Sequence, residues 1–272
     1  LLKLMYITND KNIAKIAQDS GVDRIFIDLE QIGKEERQKN LDTVKSHHTI
    51  EDVQNIRSVL DQAELFVRIN PINSHSSDEI DRVVDSGADV IMLPYFKTVK
   101  EVEIFLTAVN GRAKTCLLVE TPQAVNNIDE ILELGGFDEI HIGLNDLHLG
   151  MHMKFMFELL TDNTVDTLCK KFRERDLFYG FGGIAQLGKG IIPAEKIIAE
   201  HYRLGSEMAI LSRSFCNSEY ITDYEQLKSI FNQGIADIRN YENSLINCEK
   251  AFLIDNHREI CSLVEAIVKG EQ

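Results

Sequence analysis

Short apolar runs alternate with amphipathic stretches along most of the chain. Eight of the runs read as strands: KLMYIT (3–8), RIFIDLE (24–30), ELFVRIN (64–70), VIMLPY (90–95), KTCLLVE (114–120), EIHIGLN (139–145), LFYGFGGI (177–184) and MAILSRS (208–214). Between them lie patterns with one apolar helical face. In KNIAKIAQDSG, Ile13, Ile16 and Ala17 share a face, and Gly21 lies just past its end. EIDRVVDSGAD and VKEVEIFLTAVNG repeat the design, again with a glycine shortly after the stripe. Pro71, Pro94 and Pro122 stand at strand exits, and a proline cannot extend a central strand.

Eight strands separated by helices within about 215 residues are the cadence of a (β/α)8 barrel. A doubly wound open sheet shares the alternation, and the count of eight favours the barrel. The expected fold is α/β, a (β/α)8 TIM barrel with an extra C-terminal helix. Two helical patterns follow position 215, over roughly 219–240 and 246–268. One completes the barrel; the other is surplus and must bury its apolar face somewhere. The expected organisation is a catalytic barrel over residues 1–240 and a helical extension over 241–272. That extension is expected to pack on a neighbouring subunit of a homo-oligomer.

Composition narrows the function. With 44% hydrophobic and 27% charged residues among 272, the chain can bury a sizeable core. A net charge of −15 opposes non-specific binding to nucleic acid or to an anionic membrane surface. The five cysteines form no CxxC pair and are odd in number, which fits a reduced, cytoplasmic setting. No apolar run approaches 18 residues, so neither membrane insertion nor export is expected.

In a parallel barrel the strand ends open onto the face that carries the active site. Those ends hold Asp28 and Glu30, Arg68 and Asn70, Glu120, Asn145 and Asp146, Gly182 and Gly183, and Ser212 and Arg213. Glu120 and Asp146 close adjacent strands. Two carboxylates about 5 Å apart repel by roughly 3 kcal/mol at an effective dielectric near 20, so they share a proton, meet a cation or hold a metal. Few carboxylates with open positions suit Mg²⁺ or Mn²⁺ better than zinc. The plainer alternative is that each caps the following helix or meets a surface lysine. Arg68, after Leu65-Phe66-Val67, needs a buried anion: a structural partner in Asp28 or Glu30, or an anionic substrate. Three further signals are weaker. GFGGIA (180–185) matches GxGxxA but lacks a helix directly after it. His148 and His152 stand four apart without HExxH, and His47-His48 reads as surface in a polar connection, with a catalytic loop as the alternative.

VDRIFIDLE, LFVRIN, SGADVIMLP, LLVETPQAVNNIDEIL and IGLNDLHLGM occur in an order and at spacings that resemble the HpcH/HpaI aldolase and citrate lyase β-subunit family. The likeness runs from about residue 20 to 217. It implies a barrel in the pyruvate/phosphoenolpyruvate superfamily with a divalent metal on Glu120 and Asp146. It also implies that Arg68 meets the keto or enolate oxygen, and that backbone N–H groups at Asn145-Asp146 hold the substrate carboxylate. Two positions depart from the aldolase branch: Gln31 stands where that branch has its acid–base histidine, and Leu118 where it has a glutamine. An amide cannot shuttle protons. Asp28-Leu29-Glu30 and Val67-Arg68-Ile69-Asn70 look more like the citrate lyase branch.

The expected function is a metal-dependent carbon–carbon lyase acting on a small 2-oxo acid. Glu120, Asn145, Asp146, Ser212 and Arg68 would bind substrate, with Asp28 or Glu30 beside Arg68 in catalysis. Arg68→Ala is expected to nearly abolish turnover, lowering it by about 10²–10³, and to leave the fold intact. A CoA-thioester lyase of the malyl or citramalyl type, and a barrel that binds oxo acids without catalysis, are the alternatives.

Overall fold

The computed structural model describes residues 1–33, 47–218, 220–221 and 223–270. Eight parallel strands close into a barrel in sequence order, with β8 pairing back onto β1. They are β1 (Lys3–Ile7), β2 (Arg24–Asp28), β3 (Glu64–Arg68), β4 (Val90–Leu93), β5 (Lys114–Val119), β6 (Glu139–Ile142), β7 (Phe178–Ile184) and β8 (Met208–Leu211). Each lies within the run expected of it, and the (β/α)8 barrel is the fold observed. The described helices are α1 (Lys11–Asp19), α2 (Ile50–Arg57), α3 (Ser76–Asp85), α4 (Val99–Val109), α5 (Pro122–Asn126), α6 (Ile128–Leu134), α7 (Leu144–Gly150), α8 (Thr164–Glu174), α9 (Ala194–Leu204), α10 (Tyr224–Leu245) and α11 (Lys250–Lys269).

Local chemistry starts the helices where the pattern changes period. Asp10 accepts from the N–H groups of Asn12 and Ile13 at the head of α1. Thr49 with Asp52, and Thr98 with Glu101, form reciprocal caps on α2 and α4. Along the strands, side chains alternate between two environments. Met5, Phe26, Phe66, Val90, Met92, Cys116, Leu118 and Met208 fill the barrel interior, while Ile25, Val67, Ile91 and Ile140 pack beneath the helices. At the strand starts, fully buried Arg24 donates to Glu139 at 2.7 Å and to Glu64 at 2.8 Å.

α10 packs against α1 and so covers the seam where β8 meets β1. The 240 boundary expected from the sequence falls inside α10, which continues to Leu245. α11 lies on α9, burying Asn256, Ile260 and Val264, and Asn256 donates to the Lys196 carbonyl at 3.0 Å. Within the chain α9 thus covers Ile260 and Val264, while Phe252 and Ile254 of the same helix stay exposed. No described helix is long and apolar enough to cross a membrane.

Candidate active site

A cavity of about 340 Å³ opens at the C-terminal ends of the strands. Asp28, Glu30, Arg68, Glu120, Asn145, Asp146 and Ser212 all line it, so the structure brings together every site residue expected from the sequence. Arg213 joins them, and Phe26, Met92, Leu118, Leu144, Met156 and Ile210 form an apolar wall.

Glu120 follows β5 directly and is buried. Its Oε1 accepts the Tyr95 N–H at 3.0 Å, from a residue held at φ +51° just after Pro94. Across the ladder, Gly143 follows β6 with its N–H on the Val119 carbonyl at 3.0 Å. A Cβ there would come within 2.8 Å of Glu120 Cβ, so glycine makes room for the carboxylate. Asp146 sits in the first turn of α7, where the helix ladder starts with Leu147 N–H on the Gly143 carbonyl. The N–H groups of Asn145 and Asp146 lie ahead of that bond, at the positive end of the short helix.

Arg68 clasps Asp28 through two bonds of 2.8 Å, Nε to Oδ1 and Nη2 to Oδ2, with Glu30 at 3.5 Å from Nε. Its guanidinium also lies 5.7 Å from the Phe26 ring centre. Burial disfavours the cation, but Asp28, Glu30 and Glu120 outweigh burial and drive its pKa up. Both readings of Arg68 therefore meet in one side chain, which is paired structurally and still lines the cavity. The expectation that Arg68→Ala leaves the fold intact is corrected here. Removing one member of a buried ion pair costs about 3–5 kcal/mol, and Asp28 is 1% exposed.

Four carboxylates (Asp28, Glu30, Glu120, Asp146) and two guanidinium groups (Arg68, Arg213) line the cavity, leaving it a formal charge of −2. A divalent cation would balance that charge. Among the described residues, no three His, Cys, Asp or Glu side chains gather as a metal-binding group. Glu120 and Asp146 alone would leave most coordination positions to water and ligand, a set that fits Mg²⁺ or Mn²⁺.

Several other sequence signals resolve differently. GFGGI lies inside β7, so it is strand rather than a phosphate loop. His148 Nδ1 lies 3.2 Å from the Leu144 carbonyl within α7. His47 is exposed, but His48 is buried, which corrects its surface reading. The β1–β2 ladder ends at Ile7 and Phe26, and His48 Nδ1 accepts the Asp28 N–H at 3.0 Å beyond that end. Gln31 is exposed and lies outside the cavity lining, with its N–H on Asn70 Oδ1 at 2.9 Å. His141 was missed. It lines the cavity and is 1% exposed. The signal was the alternation in EIHIG, which turns Glu139, His141 and Gly143 to one face of β6.

A parallel eight-stranded barrel with two acids and an arginine around one cavity at its strand exits defines a class of barrel enzyme. The model of the HpcH/HpaI aldolase/citrate lyase family matches residues 3–158, and the chain belongs to that family. Its function is of lyase type. Among solved structures, the HpcH/HpaI aldolase from Desulfitobacterium hafniense DCB-2 matches with a TM-score of 0.62 at 15% identity, over 88% of this chain and 93% of that one. A variant of the citrate synthase SbnG matches with a TM-score of 0.58 at 17% identity, over 76% of this chain and 84% of that one. At those identities the likeness is one of fold. No curated protein matches the chain.

Proposed function

We propose that the protein is a metal-dependent carbon–carbon lyase that cleaves or forms a 2-oxo-4-hydroxy acid through a pyruvate enolate. The observation that carries this reading is the lining of one cavity by Glu120, Asp146 and Arg68. A Mg²⁺ or Mn²⁺ ion held by Glu120 and Asp146 would supply Lewis acidity toward the oxo acid. Arg68 presents the N–H donors not spent on Asp28 to the oxygen that gains charge. The N–H groups of Asn145 and Asp146, with the Ser212 hydroxyl, hold the substrate carboxylate.

Asp28 is bound through both oxygens to Arg68, so we assign proton transfer to Glu30. In cleavage, Glu30 takes the 4-hydroxyl proton as the bond between carbons 3 and 4 breaks. The bond's electron pair passes into the enolate, and the hydroxyl-bearing carbon leaves as an aldehyde. Glu30 then returns the proton to carbon 3, giving pyruvate. The five free thiols suit a cytoplasmic setting, and self-association completes the proposal.

One observation supports a second reading. Gln31 lies outside the cavity lining and brings no acid–base group, and the Asp-Leu-Glu text favours cleavage of a CoA thioester of the malyl or citramalyl type. The test is to screen metal-loaded protein for pyruvate release from 4-hydroxy-2-oxo acids, beside a thioester panel and a chelator control. The expected result is release from the free acids, lost on chelation and restored by Mg²⁺. Turnover of thioesters alone would establish the second reading. No turnover of either, with oxalate still bound, would leave a non-catalytic oxo-acid-binding barrel.

A further inference from the structure

His141 lies on the barrel side of β6, paired in register with Leu118 of β5, one pleat below the level of Glu120 and Gly143. It is 1% exposed and forms part of the cavity wall, and among the described residues neither ring nitrogen has a hydrogen-bond partner. A neutral imidazole always carries one N–H donor and one acceptor nitrogen. Leaving both unsatisfied in a buried setting is costly, and such a group in a native structure calls for an explanation. Among the described residues its register neighbours supply none: Leu118 of β5 is apolar, and Gly180 of β7 has no side chain. The Gly182 backbone lies near enough to favour a protonated ring, but it makes no well-formed hydrogen bond with either nitrogen.

We propose that His141 is a ligand-binding residue on the cavity floor, where its uncharged imidazole donates a hydrogen bond to an oxygen of the bound oxo acid. This rests on the oxo-acid reading above and adds a contact to it. The torsion that turns an imidazole about its Cβ–Cγ bond is soft, so a small rotation presents a nitrogen to the cavity. Burial, with Arg24 and Arg68 adding to it, holds the ring neutral by lowering its pKa to about 4. A neutral donor suits a site whose cationic roles are already filled by Arg68 and Arg213.

The inference makes two expectations of opposite sign for His141→Leu, a substitution close in volume. Without ligand, the variant melts at a higher temperature than wild type, because it removes an unsatisfied buried group. With Mg²⁺ present, it binds oxalate about tenfold to a hundredfold more weakly by calorimetry, the range a lost buried hydrogen bond produces. His141→Asn, which keeps an N–H donor, recovers much of that loss. A purely structural histidine would give the reverse, with a lower melting temperature and unchanged affinity. Oxalate affinity unchanged in both variants, in a protein whose wild type binds oxalate, overturns the role of His141 and leaves the oxo-acid reading standing. Failure of the wild type to bind oxalate with Mg²⁺ overturns both.

Discussion

Gly143 shows how finely the site depends on single atoms. Its backbone is ordinary, at φ −85° and ψ 92°, so the need for glycine is one of space. An added methyl would stand 2.8 Å from Glu120 Cβ and 2.9 Å from Oε2, and the first of those atoms cannot swing away as a side-chain tip can. Gly143→Ala is therefore expected to displace the carboxylate and lower turnover by about 10²–10³, the loss typical of one misplaced electrostatic group. Overpacking of this kind costs about 1–3 kcal/mol, so the variant stays folded. Mn²⁺ titration beside thermal melting checks it: native Mn²⁺ affinity together with native turnover would sink the assignment of Glu120. Arg68→Ala is a poorer probe, because it also strands the buried Asp28. The two acids proposed to hold the metal were legible in the sequence because a carboxylate closing an apolar run is anomalous. Gly143 was not, since its constraint exists only across the β5–β6 ladder.

At the level of elements, period and punctuation were readable and partners were not. Every strand fell inside its apolar run, because inward and outward faces are both buried in a barrel. The stretch after Pro122 reads as one amphipathic helix, yet the chain breaks it at Asn127 into α5 and α6. There the backbone leaves helical geometry and the side chain donates to the Lys97 carbonyl at 2.8 Å, a contact no local pattern announces. For α11 the sequence displayed a stripe without showing what covers it. With Ile260 fully buried in the chain's own barrel surface, Ile260→Ala is expected to cost about 2–5 kcal/mol in urea denaturation. Turnover per folded molecule should stay near wild type. A loss well below 1 kcal/mol would show that α11 is not docked on α9 as described.

Across the whole molecule, the barrel class followed from counting, whereas acid sensitivity depends on burial that no count reveals. Burial, the largest influence on each, lowers His141 to about 4 and His201 to about 3 from 6.5. His201 is sealed between Phe181, stacked at 3.9 Å, and Ser206 at 2.7 Å. A depressed folded pKa means that the unfolded chain takes the proton first as pH falls. Both histidines are neutral in either state above pH 6.5, so the penalty begins there and grows until each folded pKa is reached. A tenfold difference in proton affinity is worth about 1.4 kcal/mol, so between pH 7 and pH 5 each histidine removes about 2 kcal/mol and the pair about 4. Glu64 acts in a lower window. Burial would raise it, but Lys114, Arg24 and Lys3 together lower it to about 2, so its contribution is intact above 4.5 and fades as pH falls toward 2. Relief of repulsion within a chain of net charge −15 opposes the histidine effect, yet most of it waits for the carboxylate range near pH 4. Urea denaturation at pH 7 and pH 5 therefore reads the histidines chiefly, against a smaller opposing gain from Glu79 and Glu207, whose carboxyl pKa values burial raises. The expected loss is about 4 kcal/mol for the wild type, falling to about 2 in His141→Leu. A wild-type stability that is flat between those two pH values would mean that the two rings are not buried and neutral in the folded protein.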